Sequence, residues 1–154
     1  HYNFEQGFLL MSSEELFRKG LQFLKEDRCL TALTFFERAA SAERTPEILS
    51  YLGRCIAIER GQTAEAVKLC EEAINQDSQN PVHYLNLGIV YLKDKKKQEA
   101  VEIFRKGLSI GDVEDIKILL DSIGTRKKPF FPFLPRENLL NRCLGLLLSR
   151  LRLR

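Results

Sequence analysis

Four sets of small and apolar residues recur at intervals of about 34 along this 154-residue sequence, and this period indicates an array of stacked units. One set is Ala32, Ala66 and Ala100. The other three sets are Gly20, Gly53 and Gly88; Phe36, Cys70 and Phe104; and Ala39, Ala73 and Gly107. The glycine spacing varies by one residue, because the second copy carries one extra residue near Gly61.

Each unit is predicted to contain two helices joined by a short turn. Ser12 and Glu15 form a capping-box pattern, and Thr45 and Asn80 each precede a proline, as capping residues often do at helix starts. The predicted helices cover residues 13–25, 29–41, 46–59, 63–76, 81–93 and 97–110. The glycine of each first helix is expected to face the alanine of the second, because helices approach closely only where side chains are small.

The repeat resembles the tetratricopeptide repeat, a helix-turn-helix unit of this length. The third copy is the most similar, with Gly88, Tyr91, Ala100 and Phe104 in place, whereas the first copy has Lys19 where a leucine is usual. The resemblance implies an all-α fold: a right-handed superhelix of three repeats, with a concave face lined by the first helix of each repeat. The small stand-alone format is more typical of bacterial members.

The predicted domain organisation places this array between two terminal segments. Residues 112–124 carry apolar side chains at helical spacing and are expected to form a helix that caps the last repeat. The residues before Met11, the only methionine, are predicted to be an added or upstream extension. The domain is predicted to cover residues 11–124, with repeats at about 12–45, 46–80 and 81–111 followed by the capping helix 112–124. The extension 1–10 precedes it. A proline-containing linker, 125–137, and an amphipathic tail helix, 138–154, follow it.

The resemblance also implies which residues face the concave groove and contact a partner. They are Phe17, Leu21, Leu24, Arg54, Ala57, Ile58, Val82, Leu85, Ile89 and Leu92. This set is mostly apolar, and an exposed apolar surface of that size indicates a binding site. The function implied is a protein-interaction adaptor or scaffold that binds a peptide or helix, and no enzymatic activity is expected.

One subgroup of the family grips the C-terminal carboxylates of chaperone tails with Lys, Asn and Arg side chains. The corresponding positions here are Phe17, Leu21, Tyr51, Val82 and Asn86. Only Asn86 fits that pattern and the cations are missing, so the sequence disfavours this use of the groove.

The last seventeen residues are predicted to form an amphipathic helix with eight leucines and terminal arginines. The residues expected to dock are Leu140, Leu144, Leu147, Leu148 and Leu151. The first hypothesis is that this helix fills the groove of its own chain or of a neighbour, which would give a homo-oligomer. The alternatives are packing elsewhere on the repeats, or a peripheral membrane adaptor anchored by this basic helix.

Other function classes have little support in the sequence. Residues 125–154 carry eight Lys and Arg and one Glu, but the rest of the chain is acidic, which disfavours nucleic acid as a partner. The four cysteines form no CxxC pair and none lies near a histidine at metal-ligand spacing, and the sequence has no glycine-rich phosphate loop, so no metal or cofactor is predicted. Reduced thiols are typical of a cytoplasmic protein. His83 is expected to be solvated or to cap a helix, rather than to act in catalysis.

Overall fold

The computed structural model describes residues 11–124 of the chain. The backbone in this range forms α1 Ser13–Lys25, α2 Cys29–Ala42, α3 Pro46–Arg60, α4 Thr63–Gln76, α5 Pro81–Lys93, α6 Lys97–Ile110 and α7 Glu114–Ile123. Residues 11–124 contain no β-strand, and the prediction of an all-α helical repeat is confirmed. The first six helices begin at the predicted residues and end within one residue of the predicted positions.

The starts of the three first helices are fixed by side-chain caps. The Ser12 hydroxyl accepts the N–H of Glu15 at 3.2 Å, and the Glu15 carboxylate accepts the N–H of Ser12 at 2.9 Å. The hydrogen bond from the Ser12 N–H lowers the pKa of Glu15, because it favours the charged carboxylate. Thr45 and Asn80 each accept one backbone N–H bond at the starts of α3 and α5. Each cap pairs a donor that would otherwise have no partner in the helix.

The turns inside the repeats are of two kinds. In the first repeat Asp27 has a φ of 59°, and the N–H of Arg28 donates to the carbonyl of Phe23 at 2.9 Å. The third repeat has the same turn, with Lys95 at a φ of 60°. The second repeat instead places Gly61 at a φ of 66°, where glycine has no side-chain clash. This turn has two residues between its helices, against three in the other repeats, and the extra residue of the second copy lies in α3, which has 15 residues against 13 in α1 and in α5.

The core runs between the two helices of each repeat and between neighbouring repeats. α1 packs on α2, α3 on α4 and α5 on α6, while α3 also contacts α2 and α5. Phe36 and Phe104 lie at equivalent positions in the first and third repeats, and both side chains are fully buried. Ile116 of α7 is also fully buried, and it lies against Gly107 of α6. The last repeat is therefore covered by an apolar side chain of α7.

The space beside the glycines of the first helices is filled by side chains of the second helices. A Cβ placed on Gly20 would lie 2.5 Å from the ring of Phe36, and one on Gly88 would meet the ring of Phe104. Gly53 lies close to the predicted alanine, because its Cβ would lie 2.8 Å from the carbonyl oxygen of Ala66. Long helical side chains lean toward the N-terminus of their helix, so the ring four residues after the alanine reaches the glycine first.

The chain divides into two compact units, residues 1–120 and 121–154. The described part of the second unit consists of residues 121–124, which include the last residues of α7. No helix among residues 11–124 is long and apolar enough to cross a membrane. The predicted extension, linker and tail helix lie outside the described residues.

Candidate functional site

The three first helices, α1, α3 and α5, carry the side chains predicted to contact a partner. Those that the structure leaves partly exposed are Phe17, Leu21, Leu24, Arg54, Ile58, Val82, Ile89 and Leu92. The other two predicted residues, Ala57 and Leu85, are 2% and 4% exposed and so offer little surface for contact. Phe17, Leu21 and Leu24 also pack in part against the main core. We refer to the partly exposed set as the inner face.

An aromatic cluster supports the end of the inner face near α1. The rings of Phe17 and Tyr51 meet edge to face, with their centroids 5.7 Å apart, and this contact joins α1 to α3. Beneath them, Phe36 of α2 lies 5.7 Å from each ring and stacks on Tyr51 at 27°. Burial raises the pKa of Tyr51, so its hydroxyl is protonated near neutral pH. These contacts among the three rings hold Phe17 and Tyr51 in fixed positions beside the inner face.

A buried polar cluster joins α3 to α5 behind the inner face. Ser50, His83 and Asn86 are each fully buried. The Asn86 amide donates to the Ser50 hydroxyl oxygen at 3.0 Å, and the His83 Nδ1 lies 3.0 Å from the same oxygen. The guanidinium of Arg54 donates to the amide oxygen of Asn86 at 3.4 Å. Buried polar groups of this kind are stable only when they are paired, so the cluster fixes how the two helices pack.

The expectation that His83 is solvated was wrong. It lies in the first turn of α5, where an exposed position is common, but α3 packs against that turn and covers the ring. Burial lowers the pKa of His83, because the charged imidazolium loses its hydration.

The sequence contains a signal for this cluster that no single motif shows. Ser50 precedes His83 by 33 residues and Asn86 by 36, and the spacing of Arg54 and Asn86 is 32. These separations are close to the repeat length, and equivalent positions on successive first helices lie side by side in a stacked array. Polar residues about one repeat apart could therefore have been paired before the structure was known.

The Asn86 position, the one match to a carboxylate-gripping groove, has a different role here. Its amide nitrogen and oxygen are bonded to Ser50 and Arg54, and the side chain is fully buried. Arg54 retains a buried Nε that has no hydrogen-bond partner among the described residues. The inner face therefore combines apolar side chains with one cation.

Comparisons with known proteins agree with the repeat pattern. Residues 57–120 match the family described as tetratricopeptide repeat. No curated protein matches the sequence.

Several solved structures are similar to the described helices over 73% of this chain. The tetratricopeptide repeat domain of Sgt2 from Aspergillus fumigatus is 22% identical, with a TM-score of 0.60 and 76% of that chain covered. The corresponding domain of Arabidopsis OM64 is 20% identical, with a TM-score of 0.61 and 94% of that chain covered. The first such domain of Spaghetti (RPAP3), solved with the HSP90 peptide SRMEEVD, is 16% identical, with a TM-score of 0.59 and 90% covered. At these identities the similarity establishes the fold.

Proposed function

We propose that this chain, which contains tetratricopeptide repeats, is a protein-interaction adaptor that binds an apolar peptide or helix on its inner face. The observation that carries the proposal is the set of partly exposed apolar side chains on α1, α3 and α5. When a partner covers apolar side chains that are grouped on one surface, the binding free energy becomes more favourable by about 25 cal/mol per Å² of apolar surface removed from water. The proposed role is binding, with no catalytic step.

The chemistry of the inner face favours an apolar partner over an acidic chain end. The RPAP3 domain was solved with a peptide that contains two glutamates and ends in aspartate. In this chain Phe17, Leu21, Tyr51 and Val82 occupy positions where a carboxylate-gripping groove needs polar or cationic groups. An acidic chain end placed against these side chains would lose its hydration, and only Arg54 on the inner face could compensate for it.

Arg54 gives the inner face a second element of specificity. Arg54 is partly exposed, and a partner carbonyl or side-chain oxygen can accept a hydrogen bond from its guanidinium. We therefore expect the preferred peptides to combine large apolar residues with one oxygen acceptor. Such an acceptor orients the bound peptide, while the apolar contacts supply most of the affinity.

Peptide selection against the full chain tests the proposed partner chemistry. We expect the enriched peptides to be rich in Leu, Ile and Phe. Ile89→Asp should weaken their binding at least about tenfold, because a charge on the inner face must be desolvated. The matched control is Leu30→Asp, since Leu30 is 65% exposed on α2, outside the inner face. Enrichment of peptides with acidic C-termini, or equal effects of the two variants, would contradict the proposal.

The chain's own residues 138–154 are one candidate occupant of the inner face. The segment has apolar residues at helical spacing and includes Cys143, so docking can be trapped as a disulfide. We expect Ile89→Cys to cross-link to Cys143 under mild oxidation, giving a compact monomer if docking is within one chain or a dimer if it is between chains. Ile89 is preferable to the predicted Leu85, because Leu85 is buried.

The cross-linking experiment also requires a variant in which the other cysteine thiols do not form disulfides. Cys29 is partly exposed and should be replaced by serine. Cys55 and Cys70 can remain, because both are buried and burial raises the pKa of Cys70 to about 12. The matched control is Leu30→Cys in the same background. Failure of Ile89→Cys to cross-link more than this control would exclude docking of the tail on the inner face.

A further inference from the structure

Three side chains that are far apart in sequence converge where the second repeat meets the third. Glu47 lies in the first turn of α3, Asp77 directly follows α4, and His83 lies in the first turn of α5. One potential ligand atom from each residue lies within 4.8 Å of the other two. The His83 Nε2 is 3.9 Å from the Asp77 Oδ2. Nε2 is buried and makes no hydrogen bond with any described residue.

The hydrogen bonds around Ser50 favour the tautomer of His83 in which Nδ1 carries the proton. The Ser50 hydroxyl donates to the carbonyl of Glu47 at 3.3 Å, and its oxygen accepts from the amide of Asn86 at 3.0 Å. The oxygen then has one lone pair left, and the remaining contact is His83 Nδ1 at 3.0 Å. All three contacts are satisfied together only when Nδ1 carries the proton and donates it. Nε2 then presents a lone pair toward the two carboxylates.

No positive charge of a described residue lies between the His83 Nε2 and the carboxylates of Glu47 and Asp77. A nitrogen lone pair and two carboxylates repel one another when brought together, and a shared cation removes that repulsion. In metal sites a ligating histidine commonly donates its other N–H to a fixed acceptor, as Nδ1 does here to Ser50. The Asp77 carboxylate is oriented in a similar way, because its Oδ1 accepts the N–H of Gln79 at 3.2 Å and its Oδ2 faces His83.

We propose that Glu47, Asp77 and His83 form a binding site for a divalent first-row transition-metal ion such as Zn²⁺. One imidazole nitrogen with two carboxylates suits Zn²⁺, whereas Ca²⁺ and Mg²⁺ prefer oxygen ligands alone. Ligand atoms on one tetrahedral Zn²⁺ lie about 3.3 Å apart. The 3.9 Å separation of Nε2 and Oδ2 therefore has to shorten by about 0.6 Å, and the separations from the Glu47 carboxylate, which are at most 4.8 Å, by up to about 1.5 Å. The side chains of Asp77 and Glu47 are partly exposed and can move that far.

A bound ion would connect the two repeats that supply most of the inner face. Its ligands come from α3, from the segment between α4 and α5, and from α5, so the ion holds those elements together in the folded chain only. The expectation of no metal rested on cysteine and histidine spacing. It did not consider residues that approach each other only when two repeats stack.

The test is a titration of the full chain with ZnCl₂ after treatment with EDTA, in a His1→Ala background that leaves His83 as the only histidine. We expect one equivalent to shift the Nε2 resonance of His83 in nitrogen NMR and to raise the thermal unfolding temperature. Asp77→Asn and Glu47→Gln should each weaken binding at least about tenfold. These two variants keep the size of each side chain, whereas replacing the buried His83 could prevent folding.

The matched control is Glu43→Gln, which removes an exposed carboxylate outside the cluster and should leave the affinity unchanged. The proposal is overturned if Zn²⁺ does not bind. It is also overturned if Zn²⁺ binds without moving the Nε2 resonance, which would place the ion on other groups such as the cysteine thiols. Equal affinities of the parent, Asp77→Asn and Glu47→Gln proteins would overturn it as well.

Discussion

Replacing Phe36 with alanine is expected to lower the free energy of unfolding by about 3–5 kcal/mol, because it removes a fully buried aromatic ring and leaves a cavity. The ring contacts Phe17 and Tyr51 and fills the space that Gly20 leaves open. Denaturant unfolding measures this loss directly, and the midpoint should fall with little change in the slope. Loss of the ring should also weaken peptide binding, since Phe17 and Tyr51 would lose their support.

Phe23→Ala provides the matched control for that variant. Phe23 is only partly buried, where it stacks on Phe35 at 5.1 Å and lies 4.7 Å from the guanidinium carbon of Arg28. Removal of the Phe23 ring therefore leaves a smaller cavity and should lower the free energy of unfolding by less than Phe36→Ala does. A loss for Phe36→Ala no larger than that for Phe23→Ala would show that Phe36 is not a central support of the first repeat.

Gly88→Ala is expected to lower the free energy of unfolding by about 1–3 kcal/mol, although helix propensity alone predicts a gain of about 1 kcal/mol. Packing around residue 88 determines whether the substitution lowers or raises the free energy of unfolding. A Cβ on Gly88 would overlap the ring of Phe104, which is fully buried and cannot swing into solvent. Either α5 and α6 must separate or the ring must leave its preferred rotamer, and both changes disturb a close-packed core.

Double-mutant analysis distinguishes this clash from other causes. In a Phe104→Leu background the ring atoms near Gly88 are gone, so the further cost of Gly88→Ala should shrink markedly. Thermal or denaturant unfolding of the four proteins gives the coupling free energy. An unchanged cost in the leucine background, or a stabilising effect of Gly88→Ala alone, would contradict the packing argument.

The helices were predictable because their signals are local. Ser12, Thr45 and Asn80 mark helix starts by chemistry that acts within three residues, and the repeat then fixes the remaining boundaries. The group that lies nearest each glycine could not be predicted from spacing. Ala32 and Phe36 lie on the same face of α2, and the choice between them depends on side-chain direction, which residue spacing alone does not give.

The candidate site was predictable in outline, because first helices of stacked repeats share one face. The burial of individual residues was not: Ala57 and Leu85 are buried, while the adjacent Ile58 and the nearby Ile89 stay partly exposed. A difference of one helical position is 100°, and the exact rotation of each helix follows from its packing. The environment of His83 was missed for a similar reason, since its contacts with Ser50 and Asp77 come from other helices or turns.

The claim that the inner face binds an apolar peptide is tested most directly by mapping a bound peptide on the full chain. Amide resonances should be recorded by NMR while a selected peptide is added. If the inner face is the binding site, the shifts cluster on α1, α3 and α5, around Phe17, Arg54, Ile58 and Ile89, with little change on α2, α4 and α6. Shifts concentrated on the second helices, for example around Leu30, would contradict it.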